Sequence, residues 1–433
     1  MLEVTGFRSG SPCPRFDTIM ARVETTANEV EPTVKSIIDQ VQRDGDEALL
    51  SLTRELDGAD LTGVDLTVSN DDIESAIAGT DEKLLSAMTQ AAANIRRFHE
   101  HQRRTSWFVP DGDGVILGKR YNPIERVGIY IPGGAAPLFS SVLMAAIPAA
   151  VAGVAHLTLC TPPSPDGSVH TAILQAANLC GISLVHRVGG AQAIAAMAFG
   201  TESIKPVDKI VGPGNAYTVA AKRMVFGQVG IEMLPGPSEL VIVADDTANP
   251  IFIAADMLSQ AEHGSGYEAS VLITPSEKLA EMVTKEITRQ LETLSRAELV
   301  KTALERFGAI FVVGDLNAAY DLCSQLAAEH VEVMTTDPWR AVDAIKCAGA
   351  IFLGPASTEP VGDYFCGTNH VLPTGRAARY ASSLGVADFL TDTSIIAYTP
   401  ERLAKTGAQI EVLAEAEGLD AHANAIRVRL NNQ

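Results

Sequence analysis

Short apolar runs alternate with alanine-rich helical stretches along most of the chain from residue 127 onward. Runs of this length, rich in Val, Ile and Leu, are typical of strands buried on both faces of a sheet. They are VGIYIP (127–132), HLTLCT (156–161), SLVHRV (183–188), KIVG (209–212), ELVIVAD (239–245), ASVLIT (269–274), GAIFVVG (308–314), VEVMTT (331–336) and AGAIFLG (348–354). Because helical stretches separate these runs, the sequence predicts an α/β fold with two mostly parallel sheets covered by helices.

Other segments have a helical pattern. Residues 30–56 and 81–102 repeat apolar positions at helical spacing, which predicts surface helices. The longest apolar stretch, 140–159, has the length of a membrane span, but Pro148 and Gly153 interrupt it. We therefore expect a buried helix followed by a strand there.

These patterns divide the chain into four predicted parts. Residues 1–30 lack a clear period and predict an N-terminal arm. A first α/β domain is predicted for 31–126 together with 239–380, and a second for 127–238. The polar, helical segment 381–433 predicts a small C-terminal module.

Composition and charge narrow the class of protein. The chain has 433 residues, of which 46% are hydrophobic and 20% charged, as in ordinary globular proteins with two or more domains. Its formal charge of −20 disfavours binding to nucleic acid and to anionic membranes. Six cysteines without CxxC spacing, and an N-terminus unlike a signal peptide, predict a reducing cytoplasm.

Candidate metal ligands stand in three separate stretches. Gln260 and His263 close an apolar helical run at i and i+3, so their side chains can converge on one ion. Asp363 lies in the turn-rich segment VGDYFCGTNHVLPTG (361–375), and His422 supplies a further donor. Such nitrogen and oxygen donors suit zinc. The alternative for Gln260 and His263 is a capped helix end with an exposed imidazole, and the alternative for the Asp363 segment is a set of ordinary tight turns. The HExxH motif of common zinc proteases is absent.

Two further patterns suggest catalysis and nucleotide binding. Glu329 and His330 form an acid and imidazole pair at a predicted helix-to-strand corner, although an EH dipeptide alone is a weak signal. Glycine-rich turns occur in VGIYIPGG (127–134), VGGAQAIAA (188–196) and VGPGNAYTVAAKRMV (211–225). Each could bring backbone amides to an anion, but none has the GxGxxG spacing of the common dinucleotide fingerprint.

Taken together, these motifs resemble the histidinol dehydrogenase family over about residues 35 to 430. The resemblance is specific because many separate motifs occur in the same order. They include VGIYIPGGAAPLFSSVLM, VGGAQAIAAMAFGT, VGPGNAYTVAAKR, GPSELVIVAD, SQAEHG, EHVEV, GDYFCGTNHVLPTG and EGLDAHANA. It implies two incomplete Rossmann-like parallel-sheet domains with small terminal helical modules, assembled as a homodimer.

The resemblance also implies a role for each site residue. The implied ligands of one Zn²⁺ per subunit are Gln260, His263, Asp363 and His422. The implied acid/base pair is Glu329 and His330. The implied substrate contacts are Ser238, Gln260, His263, His330, Asp363, His370, Glu417 and His422. The implied NAD contacts, in the 127–238 domain, are Tyr130, Gln192 and Asn215. His422 and Glu417 are expected to reach the site of the partner subunit.

The implied reaction is the oxidation of L-histidinol to L-histidine, with two NAD reduced and an aldehyde held between the two steps. We expect His330 to remove protons and Glu329 to assist the addition of water. Three alternatives remain: a related zinc and NAD dehydrogenase of another small polar alcohol, a metal-dependent hydrolase, and a non-enzymatic metal- or nucleotide-binding protein. Turnover without nucleotide would indicate the hydrolase. Ligand binding that is unchanged when Glu329 and His330 are mutated would indicate the binding protein.

Overall fold

The computed structural model describes residues 2–22, 27–79, 81–133, 137–234, 236–263 and 266–431. Its strands are β1 (Glu3–Gly6), β2 (Trp107–Asp111), β3 (Val115–Pro123), β4 (Arg126–Tyr130), β5 (His156–Thr161), β6 (Leu184–Arg187), β7 (Lys209–Val211), β8 (Gly230–Ile231), β9 (Glu239–Ala244), β10 (Ala269–Thr274), β11 (Gly308–Val312), β12 (His330–Met334), β13 (Ala350–Leu353) and β14 (Leu390–Tyr398).

The helices are α1 (Pro14–Ala21), α2 (Ala27–Leu52), α3 (Asn70–Ala78), α4 (Glu82–Glu100), α5 (Phe139–Ala152), α6 (Thr171–Leu179), α7 (Gly190–Phe199), α8 (Ala216–Val225), α9 (Pro250–Ala261), α10 (Glu277–Leu291), α11 (Ala297–Phe307), α12 (Leu316–Leu326), α13 (Arg340–Ala344), α14 (Glu359–Tyr364), α15 (Pro400–Ala416) and α16 (Asp420–Asn431). A π-helical turn, Thr53–Asp57, continues α2, and two short 3₁₀ helices are Ala377–Arg379 and Val386–Phe389.

Two parallel sheets organise the fold. The larger has the strand order β1-β11-β10-β9-β12-β13 and the smaller β6-β5-β4-β7-β8, and every pairing within them is parallel. All residues of β9 and β10 are buried, as expected for strands covered on both faces. The prediction of an α/β fold with two Rossmann-like parallel sheets is therefore confirmed.

The apolar stretch 140–159 divides as the sequence predicts. It forms α5, most of which is buried, and then β5, an interior strand of the smaller sheet. Gly153 ends α5 in a left-handed conformation (φ +95°), which stops the helix before the strand. Within the part of the chain that the structure describes, we find no helix long and apolar enough to cross a membrane.

The packing of the early helices differs from the predicted domain division. Residues 31–126 were predicted to accompany the larger sheet, but α2 packs on α7 and α8, α3 on α6, and α4 on α5, beside the smaller sheet. The periodicity of an amphipathic helix shows which face is buried but not which sheet buries it. The predicted arm is also partly built into the fold, because β1 pairs with β11 at the edge of the larger sheet.

A third, antiparallel sheet has the order β14-β3-β2 and was not predicted. Its nine-residue ladder between β3 and β14 joins segments that are about 270 residues apart in sequence. Most residues of β14 are exposed and none is buried, so it lacks the pattern of a core strand. Beyond it, α15 and α16 pack on each other as an antiparallel pair.

Candidate active site

A cavity of about 270 Å³ lies between the two parallel sheets, at the amino ends of β9 and β12. Ser238 directly precedes β9, Glu329 directly precedes β12, and His330 is the first residue of β12. Leu138 and Gly212 reach the same cavity from the smaller-sheet domain. Ligands of open α/β sheets more often bind at the carboxyl ends of strands, so this site uses the opposite edge of the larger sheet.

The register of β9 and β12 fixes the acid and imidazole pair. His330 lies opposite Leu240, which places Glu329 beside Glu239. The backbone amide of Glu239 donates to Glu329 Oε2 (3.1 Å), and the amide of Glu329 donates to Glu239 Oε2 (3.2 Å). Arg22 forms a buried ion pair with Glu239 from the end of α1. These contacts hold the Glu329 side chain in one position within a buried corner.

Burial and neighbouring charges shift the pKa values of this pair. His330 Nδ1 lies 3.3 Å from the carbonyl oxygen of Glu239, whereas its Nε2 is buried without a hydrogen-bond partner and lies 3.7 Å from Asp363 Oδ1. Burial lowers the pKa of His330, but the negative charge of Glu329 and the contact with Asp363 outweigh burial and raise it to about 10. Burial raises the pKa of Glu329 to about 7.

Three of the four predicted metal ligands approach the same region. Gln260 is fully buried at the end of α9, and its Oε1 has no hydrogen-bond partner. His263 follows two residues after this helix and lies at the cavity with Asp363 of α14. An orphaned amide oxygen beside an imidazole and a carboxylate fits the donor preferences of a divalent cation such as zinc. The assignment of these residues as ligands stays a prediction.

Glu359 was not predicted from the sequence, but it belongs to this donor group in the structure. Its side chain is buried, and neither carboxylate oxygen has a hydrogen-bond partner. Potential ligand atoms of His263, Glu359 and Asp363 lie within 4.8 Å of one another. Burial raises the pKa of Glu359 to about 8. The i, i+4 spacing of Glu359 and Asp363 on α14 was the available signal, because such residues share one helix face.

The remaining predicted substrate contacts separate into two groups. Ser238 and His370 line the cavity, and His370 lies between the carbonyl oxygen of Asp363 (2.9 Å from Nδ1) and Ser141 Oγ (3.1 Å from Nε2). Glu417 and His422 instead lie exposed at the α15–α16 connection and on α16. In the described part of the chain, neither of them belongs to the cavity lining.

All three predicted NAD contacts line a second cavity, of about 650 Å³. Tyr130 ends β4, Gln192 lies in the first turn of α7, and Asn215 caps α8, so this cavity lies at the carboxyl edge of the smaller sheet. Gln192 is fully buried, yet neither atom of its amide has a partner. The unpartnered amide of Gln192 and the position at the carboxyl edge of a parallel sheet fit a polar ligand.

We call the cavity lined by Glu329 and His330 the catalytic cavity, and the one lined by Tyr130, Gln192 and Asn215 the dinucleotide cavity, after their predicted roles. The two cavities adjoin each other. Pro137 lines the dinucleotide cavity, and its neighbour Leu138 lines the catalytic cavity. Likewise, Asn215 lines the dinucleotide cavity and its neighbour Gly214 lines the catalytic cavity. Neighbouring residues of two loops thus contribute to different cavities. A ligand extended through the larger cavity could therefore bring one end to the Glu329–His330 pair.

Comparisons with known proteins identify the family of the chain. The family model described as histidinol dehydrogenase matches residues 20–430. Histidinol dehydrogenase of Halalkalibacterium halodurans is 48% identical over 411 residues, which cover 95% of this chain and 96% of that protein. The protein of the same name from Syntrophotalea carbinolica is 44% identical over 432 residues, covering 100% of both chains.

A solved structure supports the same relationship at the level of the fold. The crystal structure of histidinol dehydrogenase from Elizabethkingia anophelis superimposes with a TM-score of 0.93 at 39% sequence identity. The match covers 99% of this chain and 98% of that one. The chain therefore belongs to the histidinol dehydrogenase family of NAD-dependent oxidoreductases.

Proposed function

We propose that the protein oxidises L-histidinol to L-histidine, the last step of histidine biosynthesis, using one Zn²⁺ per subunit and two NAD per product. The observation that carries this proposal is the junction of the two cavities. One cavity is lined by a buried acid and imidazole pair and by a cluster of oxygen and nitrogen donors. The other is lined by the residues expected to bind NAD. We place the reaction in the cytoplasm, as the cysteine pattern predicts.

The proposed zinc ligands are Gln260, His263 and Asp363 of one subunit and His422 of the second. When bound, zinc orients the substrate and polarises its reacting oxygen. Glu359 lies close enough to His263 to support the same cation, because its Oε1 is 3.8 Å from His263 Nε2. Ser238, His370 and Glu417 are the proposed further contacts for the polar substrate.

His330 is the proposed general base for the alcohol. Its Nδ1 lies by the carbonyl oxygen of Glu239, so the unpartnered Nε2 is the atom available to accept the hydroxyl proton while a hydride passes to NAD. The negative charges around His330 hold its pKa at about 10. A cation bound by Asp363 would offset that charge and bring the imidazole towards the range of a base at neutral pH.

Glu329 is the proposed base for the second step. An aldehyde becomes a carboxylate only after water adds to it, and the resulting hydrate then loses a second hydride. With its pKa raised to about 7 by burial, Glu329 can accept a proton from that water and release it at neutral pH. His330 then accepts the hydroxyl proton of the hydrate, as it does that of the alcohol.

The homodimer is proposed because two of the predicted site residues lie away from the cavity of their own chain. Glu417 and His422 lie outside the cavity of their own chain in the described residues. Tyr364 lines the cavity and is 56% exposed, and its neighbour Phe365 is 47% exposed, so aromatic surface beside the cavity is open to a partner. Val412, Leu413 and Leu419, near the α15–α16 connection, are also exposed and could cover such a surface.

The stoichiometry of NADH formation tests the proposed function. Purified protein with zinc, L-histidinol and NAD is expected to form two NADH for each histidine, because an alcohol loses two hydrides on its way to a carboxylate. NADH absorbance and histidine content would be measured in the same sample, and His330→Asn is the inactive control. One NADH per substrate would indicate a dehydrogenase that releases the aldehyde, and no NADH would overturn the proposal.

Replacing Glu329 with Gln tests the division of roles. The amide oxygen of Gln can still accept the hydrogen bond from Glu239, so the local structure should persist. We expect oxidation of supplied L-histidinaldehyde to slow roughly 10²–10⁴-fold, because a general base contributes about that much, and histidinol oxidation to slow much less. Stopped-flow NADH formation with each substrate would separate the steps. Equal losses in both would contradict the water-activating role.

A further inference from the structure

The dinucleotide cavity contains a carboxylate that the sequence motifs do not identify. Asp57 is the last residue of the π-helical turn that continues α2, and Gly58 follows it in a left-handed conformation (φ +70°). The side chain of Asp57 lines the cavity with Thr33 and Ile37 of α2. This segment lies outside the sheet, so Asp57 reaches the cavity from a helix that covers the smaller-sheet domain.

One oxygen of the Asp57 carboxylate has no hydrogen-bond partner among the described residues. This oxygen, Oδ2, is buried and accepts no hydrogen bond from the described residues. Ile37 and Leu56, which also line the cavity, have apolar side chains that cannot donate one. A buried carboxylate oxygen without a donor is costly, and such groups usually satisfy a ligand, an ion or water. The position therefore suits a ligand that brings hydroxyl donors.

The charge of the cavity is also distinctive. Among the described residues that line it, Asp57 is the only carboxylate, and none is lysine or arginine. The diphosphate of a dinucleotide would have to be held by backbone amides and neutral side chains such as Gln192 and Asn215. An extra phosphate would therefore meet no lysine or arginine among the described lining residues and would meet the charge of Asp57.

The position of Asp57 points to the adenosine half of the ligand. The nicotinamide must lie where the dinucleotide cavity adjoins the catalytic cavity, at Pro137 and Asn215. Among the described residues, α2 and its π-helical continuation line only the dinucleotide cavity, because the catalytic cavity takes its lining from residue 138 onward. The hydroxyl groups of the adenosine ribose can donate to a carboxylate.

We propose that Asp57 accepts hydrogen bonds from the adenosine ribose hydroxyls and excludes a 2′-phosphate, so that it selects NAD over NADP. The proposal rests on the proposed use of NAD in this cavity. It identifies a specificity-determining residue outside the three glycine-rich segments. It also explains why a cavity for an anionic ligand retains a carboxylate of its own.

Binding of two adenosine nucleotides tests the role of Asp57 without catalysis. Calorimetry would compare AMP with adenosine 2′,5′-bisphosphate, which differ only in the 2′-phosphate. The wild-type protein should prefer AMP, and Asp57→Asn should reduce that preference roughly 10–100-fold, because like charges a few ångströms apart repel by that much. The ratio of kcat/KM for NADP to that for NAD with histidinol should rise by a similar factor.

Asp71→Asn is the matched control, because Asp71 is an exposed carboxylate in the first turn of α3 and does not line the cavity. It should leave both ratios unchanged. Asp57→Ala provides a second variant, and melting temperatures would verify that each variant folds. An unchanged preference in both Asp57 variants, or failure of the wild-type protein to bind AMP, would overturn the inference. Failure of wild-type protein to reduce NAD with histidinol would instead count against the proposed function, and the nucleotide preference would still test Asp57.

Discussion

Replacing His263 with Asn is expected to remove bound zinc and turnover together. In the described chain, His263 is the only imidazole in the donor cluster with Glu359 and Asp363. Zinc favours nitrogen ligands, and Asn offers a neutral amide on a shorter side chain. If zinc provides several kcal/mol of transition-state stabilisation, turnover should fall on the order of 10³-fold or more. Zinc content per subunit after dialysis and the rate of NADH formation would be measured on the same preparation.

Glu262→Gln is the matched control for this experiment. Glu262 is the neighbour of His263 in sequence, but it is absent from the lining of the catalytic cavity within the described residues. We expect this variant to retain zinc and activity. A His263→Asn protein that turns over histidinol without zinc would contradict the ligand assignment. Retention of zinc with loss of turnover would show that His263 acts on the substrate instead.

The core of the fold could be predicted because its strands are buried on both faces. β9 and β10 read as continuous apolar runs, and a run of that kind is distinctive without knowledge of its partners. β2 is exposed at every position and gains its structure from pairing with β3. Long-range pairing, rather than local pattern, stabilises such a strand, so the sequence carries little signal for it.

The candidate site was predictable in its parts but not in its assembly. The family resemblance names Gln260, His263 and Asp363, whereas residue spacing alone left ordinary turns and helix caps as alternatives. Glu359 could not be recognised as buried, because its burial depends on tertiary contacts with β12. Its backbone amide donates to the buried Glu332 Oε1 (2.8 Å), which anchors the start of α14 beside that strand.

Mixing two inactive variants is expected to restore activity if the sites are shared. His263→Asn destroys the site of its own chain but leaves a normal His422 for its partner, and His422→Ala does the reverse. In a hybrid dimer one site therefore contains both substitutions and the other contains neither. With random pairing of equal amounts, about half of the dimers are hybrids and half of their sites are intact, so about one quarter of wild-type activity should return.

The hybrid experiment shows whether His422 serves the site of the partner chain or that of its own chain, which a single variant cannot show. Loss of activity in His422→Ala alone would fit a ligand from either chain. If α16 turned back to the cavity of its own chain, every hybrid site would contain one substitution and no activity would return.

Co-expression of the two variants with different affinity tags, followed by sequential purification, would isolate the hybrid, and its zinc content should be about one ion per dimer. Recovery of activity in that hybrid requires donor groups from both chains to meet at one cation. The exposure of His422 and the exposed aromatic surface at Tyr364 and Phe365 are the reasons to expect that recovery.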